Sequence, residues 1–357
     1  MKRLPQRVSL VTQTAEVLRE AIAAGQWPQW LPGEIELTHR LHVSRMTLRS
    51  ALALLEREKL IRAGQGRRRE VIRQQKAPTA SPTHRAVALL SPLPLHLLPV
   101  SAIFWMDELR EHLDAAGWPL EIHESAAAYR RRPAHALEEL AARLHPAGWV
   151  LFRSTPEMQR WFAERSLPAV IAGSRHPTVE LSSVDVDYRA GSRHAAGRFL
   201  SHGHRRLAIV RPDTKLAGDL DSVAGFMTGS DAAEVRLALH AGSTRGVCAS
   251  LDRLFGKPPH PTGLFVFQAS HLLTVLGWLQ VRGLRVPRDV SVICRDDEPL
   301  LNAVLPAPSR YTVDTVLFAR KTSHLVAGLV SGGAVRQRQT LILPTFVRGE
   351  TLARATD

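Results

Sequence analysis

The stretch Val43-Ser44-Arg45-Met46-Thr47-Leu48-Arg49-Ser50-Ala51-Leu52-Ala53-Leu54-Leu55 decides the N-terminal fold. Ser44 suits an N-cap, since a serine hydroxyl accepts from a free amide in the first turn. The helix it opens is expected over residues 45–58, with Leu48, Ala51, Leu52 and Leu55 on one stripe. Arg45, Thr47 and Arg49 fall in the first turns on the opposite side. Upstream, residues 12–24 read as a helix carrying Val17, Leu18, Ala21 and Ile22, stopped by Gly25. A shorter helix follows over residues 34–41, with Ile35, Leu37 and Leu41 apolar. Downstream, residues 60–72 read as two short strands around Gly64-Gln65-Gly66, and Arg67, Arg68 and Arg69 make that hairpin basic. Three helices and a basic hairpin in this order describe a winged helix-turn-helix, in which the start of the third helix enters the major groove of DNA. Taken alone, arginines on a helix read more simply as a solvated face. The complete helix-turn-helix and wing in register outweigh that reading. Gly64-Gln65-Gly66 lacks the third glycine and following helix of a dinucleotide fingerprint.

The charge agrees. The 357 residues carry a net +14, and residues 1–76 hold 15 Lys and Arg against 7 Asp and Glu. More than half of the excess thus sits in about a fifth of the chain, as expected for one domain that meets phosphate. Two isolated cysteines, Cys248 and Cys294, make neither a disulfide framework nor a metal site. No signal peptide and no apolar run of membrane-spanning length occur, so a cytoplasmic protein is expected. His202-Gly203-His204 has a metal-like spacing but no acidic or cysteine partner nearby, and no metal or other cofactor is expected.

A polar, proline-containing linker over residues 77–84 separates the head, residues 1–76, from the rest, residues 85–357. In that second region apolar runs at 86–90, 148–152, 168–172, 207–210, 263–267 and 290–294 alternate with helical patterns. One such pattern places Phe104, Leu109, Leu113 and Ala116 at helical spacing before Gly117. Continuous apolar strands separated by helices imply an α/β region of parallel sheets covered on both faces, enough for two doubly wound lobes.

The head resembles the GntR family. The match lies in Leu31-Pro32-x-Glu34-x-Glu36-Leu37, in Val43 to Leu55, and in Gly64-Gln65-Gly66-Arg67. The resemblance implies DNA contacts at Ser44, Arg45, Thr47 and Arg49, with Gly66 at the wing tip and Arg67 and Arg68 beside it. The family's usual arginine between the two glutamates is here Ile35. The second region resembles the effector domain of the LacI/GalR family, a periplasmic-binding-protein-like fold. That match is carried by the stretch from Val184 to Ala208, by Gly225-Phe226, by Gly283 to Asp297 and by the end, Pro344 to Thr351. It implies two lobes joined by three crossings, a ligand cleft between them, and a homodimer.

Loops at strand ends should meet in that cleft. Arg153, Ser222, Ser270 and Asp296 are the expected lining residues. Ser222 stands where the family often has arginine, and Ala269-Ser270 where it often has Asn-Asp. Ordinary sugars are therefore expected to bind weakly, with Arg153 or Asp296 making the polar contact to any sugar-like or other effector. Asp185 with Asp187, and Asp296 with Asp297, could be read as acid–base pairs, but a structural or hinge role is the stronger reading. No catalytic motif is found, so no enzyme is expected. The expected function is a regulator that binds a double-stranded DNA operator under control of a small molecule. The alternatives are a C-terminal region that only dimerises, or a cytoplasmic solute-binding module.

Overall fold

The computed structural model describes residues 10–23, 27, 30–41, 43–58, 60–64, 67–71, 84–332 and 339–355. The chain forms two compact units, Met1–Pro82 and Thr83–Asp357.

In the first unit α1 (Leu10–Ala23), α2 (Glu34–Leu41) and α3 (Arg45–Arg57) precede a hairpin of β1 (Ile61–Gly64) and β2 (Arg67–Val71). Leu18, Leu37, Leu48, Leu52, Leu55 and Ile61 are each buried, and together they hold the three helices and the hairpin on one core. Each such side chain contributes about 1.5–3 kcal/mol by leaving water. Leu31 donates its amide to the Arg69 carbonyl at 2.9 Å, which stitches the segment before α2 onto β2. Two of the expected inward positions face out instead: Val17 is 49% exposed and Ile35 is 61% exposed. At 100° per residue Val17 lies off the stripe set by Leu18, and Ile35 lies off the stripe set by Leu37.

The second unit opens with β3 (His84–Ser91), α4 (Val100–Ala115), β4 (Leu120–Glu124), α5 (Ala134–Leu144), β5 (Pro146–Phe152), α6 (Pro156–Glu164), β6 (Ala169–Ala172) and β7 (Ser182–Val186). The chain then crosses to a second lobe: α7 (Tyr188–Ser201), β8 (Arg206–Pro212), α8 (Ala217–Gly229), β9 (Glu234–His240), α9 (Thr244–Leu254), β10 (Gly263–Val266), α10 (Ala269–Val281), β11 (Ser291–Cys294) and β12 (Ser309–Thr312). It returns for α11 (Thr315–Val330) and β13 (Gln339–Ile342), and crosses again into β14 (Thr345–Val347). The first lobe's sheet runs β13-β7-β6-β5-β3-β4, every pair parallel. The second runs β14-β12-β11-β10-β8-β9, parallel except for β14 on β12. Helices α4 and α11 cover one face of the first sheet and α5 and α6 the other. In the second lobe, α7 and α8 lie opposite α9 and α10.

The three crossings fall at residues 187, 313–314 and 343–344. Two carry helix caps. Asp187 accepts from the Ala190 amide at 2.8 Å and Asp314 from the Leu317 amide at 2.8 Å. Asp187 also donates its own amide to the Ile342 carbonyl at 2.8 Å, tying two crossings together.

All six apolar runs fall on strands, and nearly all of their residues are buried. On α4 the expected stripe is shifted. Phe104 is 51% exposed, and Ala102, Trp105, Met106, Leu109 and Leu113 form the inward face.

Helices α7 and α8 pack so closely that Gly225 has no room for a side chain. A Cβ there would lie 2.1 Å from the Arg189 carbonyl oxygen. At the adjacent residue, Phe226 stacks on Phe265 with ring centroids 5.0 Å apart. Gly225→Ala must push two backbones apart, and we expect a loss of about 1–3 kcal/mol in urea unfolding of the full chain. An unchanged midpoint would contradict this packing.

Candidate functional site

Two places gather polar side chains that the folding core does not use. The first is the N-terminal face of α3. Ser44 caps that helix: its hydroxyl accepts from the Thr47 amide at 3.1 Å and lies 2.8 Å from the Thr47 hydroxyl. Both hydroxyls are thus engaged locally. Arg45 and Met46 project from the exposed side of the first turn, Met46 being 75% exposed. Arg49 is exposed as well, and its Nε donates to Glu34 at 3.0 Å. Gly66 and the side chains of Arg67 and Arg68 lie outside the described residues.

Arg69 does not share the role expected of the wing arginines. It is three-quarters buried, donating to Glu34 at 2.9 Å and to Glu56 at 2.8 Å. It therefore belongs to the scaffold, fastening the wing to α2 and α3. Glu34 bridges Arg69 and Arg49, and their hydrogen bonds, that of Arg69 first, hold its carboxyl below the usual range. Glu34 thus positions Arg49 beside the wing.

The second place is a cleft of about 870 Å³ between the lobes of the second unit. Arg153, Ser270 and Asp296 line it, as the strand-end rule suggests. Ser222 does not. It is fully buried on α8, donating to the Gly218 carbonyl at 2.8 Å and accepting from Arg295 at 3.1 Å. It meets the cleft only through that guanidinium, because the inner face of α8 turns it toward the end of β11.

Arg295 is the residue that sequence reasoning passed over in favour of its neighbour Asp296. Its side chain is only 9% exposed. It pairs with Asp219 at 2.7 Å and with Asp296 at 2.8 Å. Its guanidinium lies 4.2 Å from the Phe267 ring centroid and 4.7 Å from that of Tyr188. Burial alone would lower its pKa, but Asp296 and Asp219 outweigh that and raise it. A positive group thus stands against Ser222, where the family's usual arginine is missing. Asp219 is held in turn by the Thr214 hydroxyl.

Asp185, read from sequence as structural, also lines the cleft. Burial pushes its carboxyl up to about 7, against the opposing hydrogen bonds of Ser174 and the Val186 amide. Asp297 turns away from this group to pair with Arg310 at 2.6 Å. His204 is buried with both ring nitrogens engaged, by Thr262 and by the Ala353 carbonyl, each at 3.0 Å.

One contact bridges the lobes directly. Glu298, from the loop after β11, accepts from the Val100 amide at 3.0 Å and the Ser101 hydroxyl at 2.6 Å at the start of α4. A carboxylate at a helix N-terminus is favoured by the free amides and the helix dipole.

Residues 10–71 match the family of bacterial regulatory proteins called gntR, and residues 196–352 match a periplasmic binding protein-like domain. The chain joins a GntR-family head to a periplasmic-binding-protein-like body. Regulators similar to it include CelR of Thermobifida fusca and DegA of Bacillus subtilis, each 24% identical. Either match takes in 51% of this chain and 55% of the relative, so the chain spans about half the length of the relatives it matches. A putative transcriptional regulator LacI from Bacillus cereus subsp. cytotoxis has the same body fold. Its TM-score is 0.70 at 17% identity, over 77% of this chain and 100% of that one. A LacI-family regulator from Enterococcus faecium with bound ribose gives 0.64 at 16% identity, over 76% of this chain and 100% of that one. At these identities the likeness establishes the fold of the body.

The contact between the lobes leaves a test. In the body, Glu298→Ala frees the first amides of α4. We expect Val100 and Ser101 to lose most of their hydrogen-exchange protection, and the body to lose about 1–3 kcal/mol of stability. Unchanged exchange at both amides would show that Glu298 does not hold the lobes.

Proposed function

We propose that the protein is a cytoplasmic transcriptional repressor that binds a double-stranded DNA operator as a homodimer and responds to a small molecule in its interlobe cleft. The observation that carries this reading is the free face of α3. Arg45, Met46 and Arg49 stand exposed at the start of a capped helix whose other side is fully committed to the core. In a helix-turn-helix that position meets base edges, while basic groups beside it meet phosphate. Ser44 and Thr47 order the first turn and present their oxygens to the same side. On the sequence alone we assign to Gly66, Arg67 and Arg68 the wing's contacts with the DNA backbone.

The body supports the regulatory half. Ribose sits in a regulator of the same body fold. Here the cleft offers Arg153, Ser270, Asp296 and Arg295 at its wall. A ligand that binds the closed cleft better than the open one shifts the balance between the two. In a dimer, such a shift changes the spacing of two heads and hence the fit to a two-fold operator. No step of this requires catalysis, and we read the chain as a binding protein and not an enzyme.

The double variant Arg45→Ala, Arg49→Ala tests the docking surface. Each lost base contact should cost about 1–3 kcal/mol, and each lost phosphate contact should lower the salt slope of binding by about one. Neither residue touches the buried core, so the melting temperature of the head should hold within a few degrees. Gel shifts on the DNA upstream of the protein's own gene, at several salt concentrations, read both effects. Unchanged affinity and slope would remove α3 from the interface. Arg67→Ala with Arg68→Ala should weaken specific and random DNA together, since backbone contacts carry no sequence information directly. Loss on specific DNA alone would show that the wing reads bases.

A further inference from the structure

We propose that the cleft is built for a zwitterion, an amino acid conjugate of dipeptide size whose ammonium rests on Asp185 and whose carboxylate is held by Arg153. This rests on the cleft being the effector site, and adds which chemistry enters it.

Asp185 has no counter-charge of its own in the cleft. Asp185 is 5% exposed at the cleft end of β7, and it accepts only from Ser174 and the Val186 amide. Among the described residues no Lys, Arg or His pairs with it. Its neighbour Arg295 is already committed to Asp219 and Asp296. Burial accordingly pushes the Asp185 carboxyl up to about 7, between its charged and neutral forms, and sugar hydroxyls supply hydrogen bonds but no charge. An ammonium supplies both, with three donors.

A second observation points the same way. Ser192, on the first turns of α7, is 1% exposed and lines the cleft, yet its hydroxyl has no partner. Buried hydroxyls are normally bonded, so this one marks a place for a polar group of the guest. The third is Arg153. It follows β5 with φ at 50°, a left-handed backbone that a side chain such as arginine rarely adopts. Strain of that kind gathers at binding sites. Among the described residues Arg153 makes no hydrogen bond or ion pair, and its planar fork suits a carboxylate. Strands β5 and β7 flank β6, so the two anchors start about 10 Å apart, within reach of a dipeptide's termini once the arginine bends inward. Trp105, Phe104 and Leu97 give the cleft an apolar wall for the body of such a guest. Its volume is near the top of the range for small-molecule pockets, about 300–1,000 Å³, and too large for a free amino acid alone.

Calorimetry on the full chain tests this with L-phenylalanyl-glycine, its N-acetyl and C-amide forms, L-phenylalanine, D-ribose and D-glucose. The free dipeptide should bind, and each blocked form should bind at least about tenfold more weakly. Asp185→Asn should abolish the preference over the N-acetyl form. Arg153→Gln, at a half-buried position outside the core, should abolish the preference over the C-amide and remains informative if the first variant folds poorly. Failure of all zwitterions to bind, or equal binding of free and blocked forms, overturns the proposal. Binding of ribose or glucose alone would overturn it while leaving the cleft as the effector site. Dipeptide binding with the predicted charge preferences, but no change in DNA affinity, would support it and count against the effector reading.

Discussion

The body depends on one buried cation. Arg295 draws together the ends of β11 and β10, the start of α8 and the first residue of α7, through Asp219, Ser222, Phe267 and Tyr188. A buried ion pair repays its desolvation only when geometry and extra hydrogen bonds are good. Here both are present: two carboxylates within 2.8 Å, a hydroxyl at 3.1 Å and two aromatic rings within 4.7 Å. Taking away the guanidinium would leave Asp219 and Asp296 facing each other without a counter-charge. At the cleft wall the same guanidinium meets both Asp296 and Ser222.

The head divides the work differently. Its core is aliphatic, and its ion pairs lie at the edge, where Glu34 and Glu56 hold Arg69. The third helix can then present Arg45 and Arg49 to a partner at little cost to folding. Glu34 holds Arg49 in place through one hydrogen bond at 3.0 Å. The head thus has arginines of both kinds, Arg69 held in its scaffold and Arg45 and Arg49 exposed, while in the body Arg295 is structural.

Much of this was legible in the sequence because the signals are local. Ser44 and the Leu48, Ala51, Leu52, Leu55 stripe lie within one helix, and the structure returns both. Continuous apolar runs such as 207–210 and 263–267 became strands because a central parallel strand is buried on both faces. Strand β9 was missed since it lies at a sheet edge and alternates, with Leu237 44% exposed. The misplacement of Phe104 arose from choosing among several apolar residues on α4 with no knowledge of the facing helix α11. The reassignments of Ser222 and Arg69 have a common physical origin. Each depends on a partner far along the chain, Arg295 in one case and Glu34 in the other, and no spacing rule announces such a meeting. Asp185 could be placed at a crossing, yet its lack of a counter-charge emerges only from the whole wall of the cleft.

Selection from a random duplex DNA library by the full-length protein, followed by sequencing, tests the central claim most directly. The account predicts enrichment of one motif made of two inverted half-sites, read by two copies of α3. Recovery of DNA with no enriched sequence, or of no DNA at all, would contradict it.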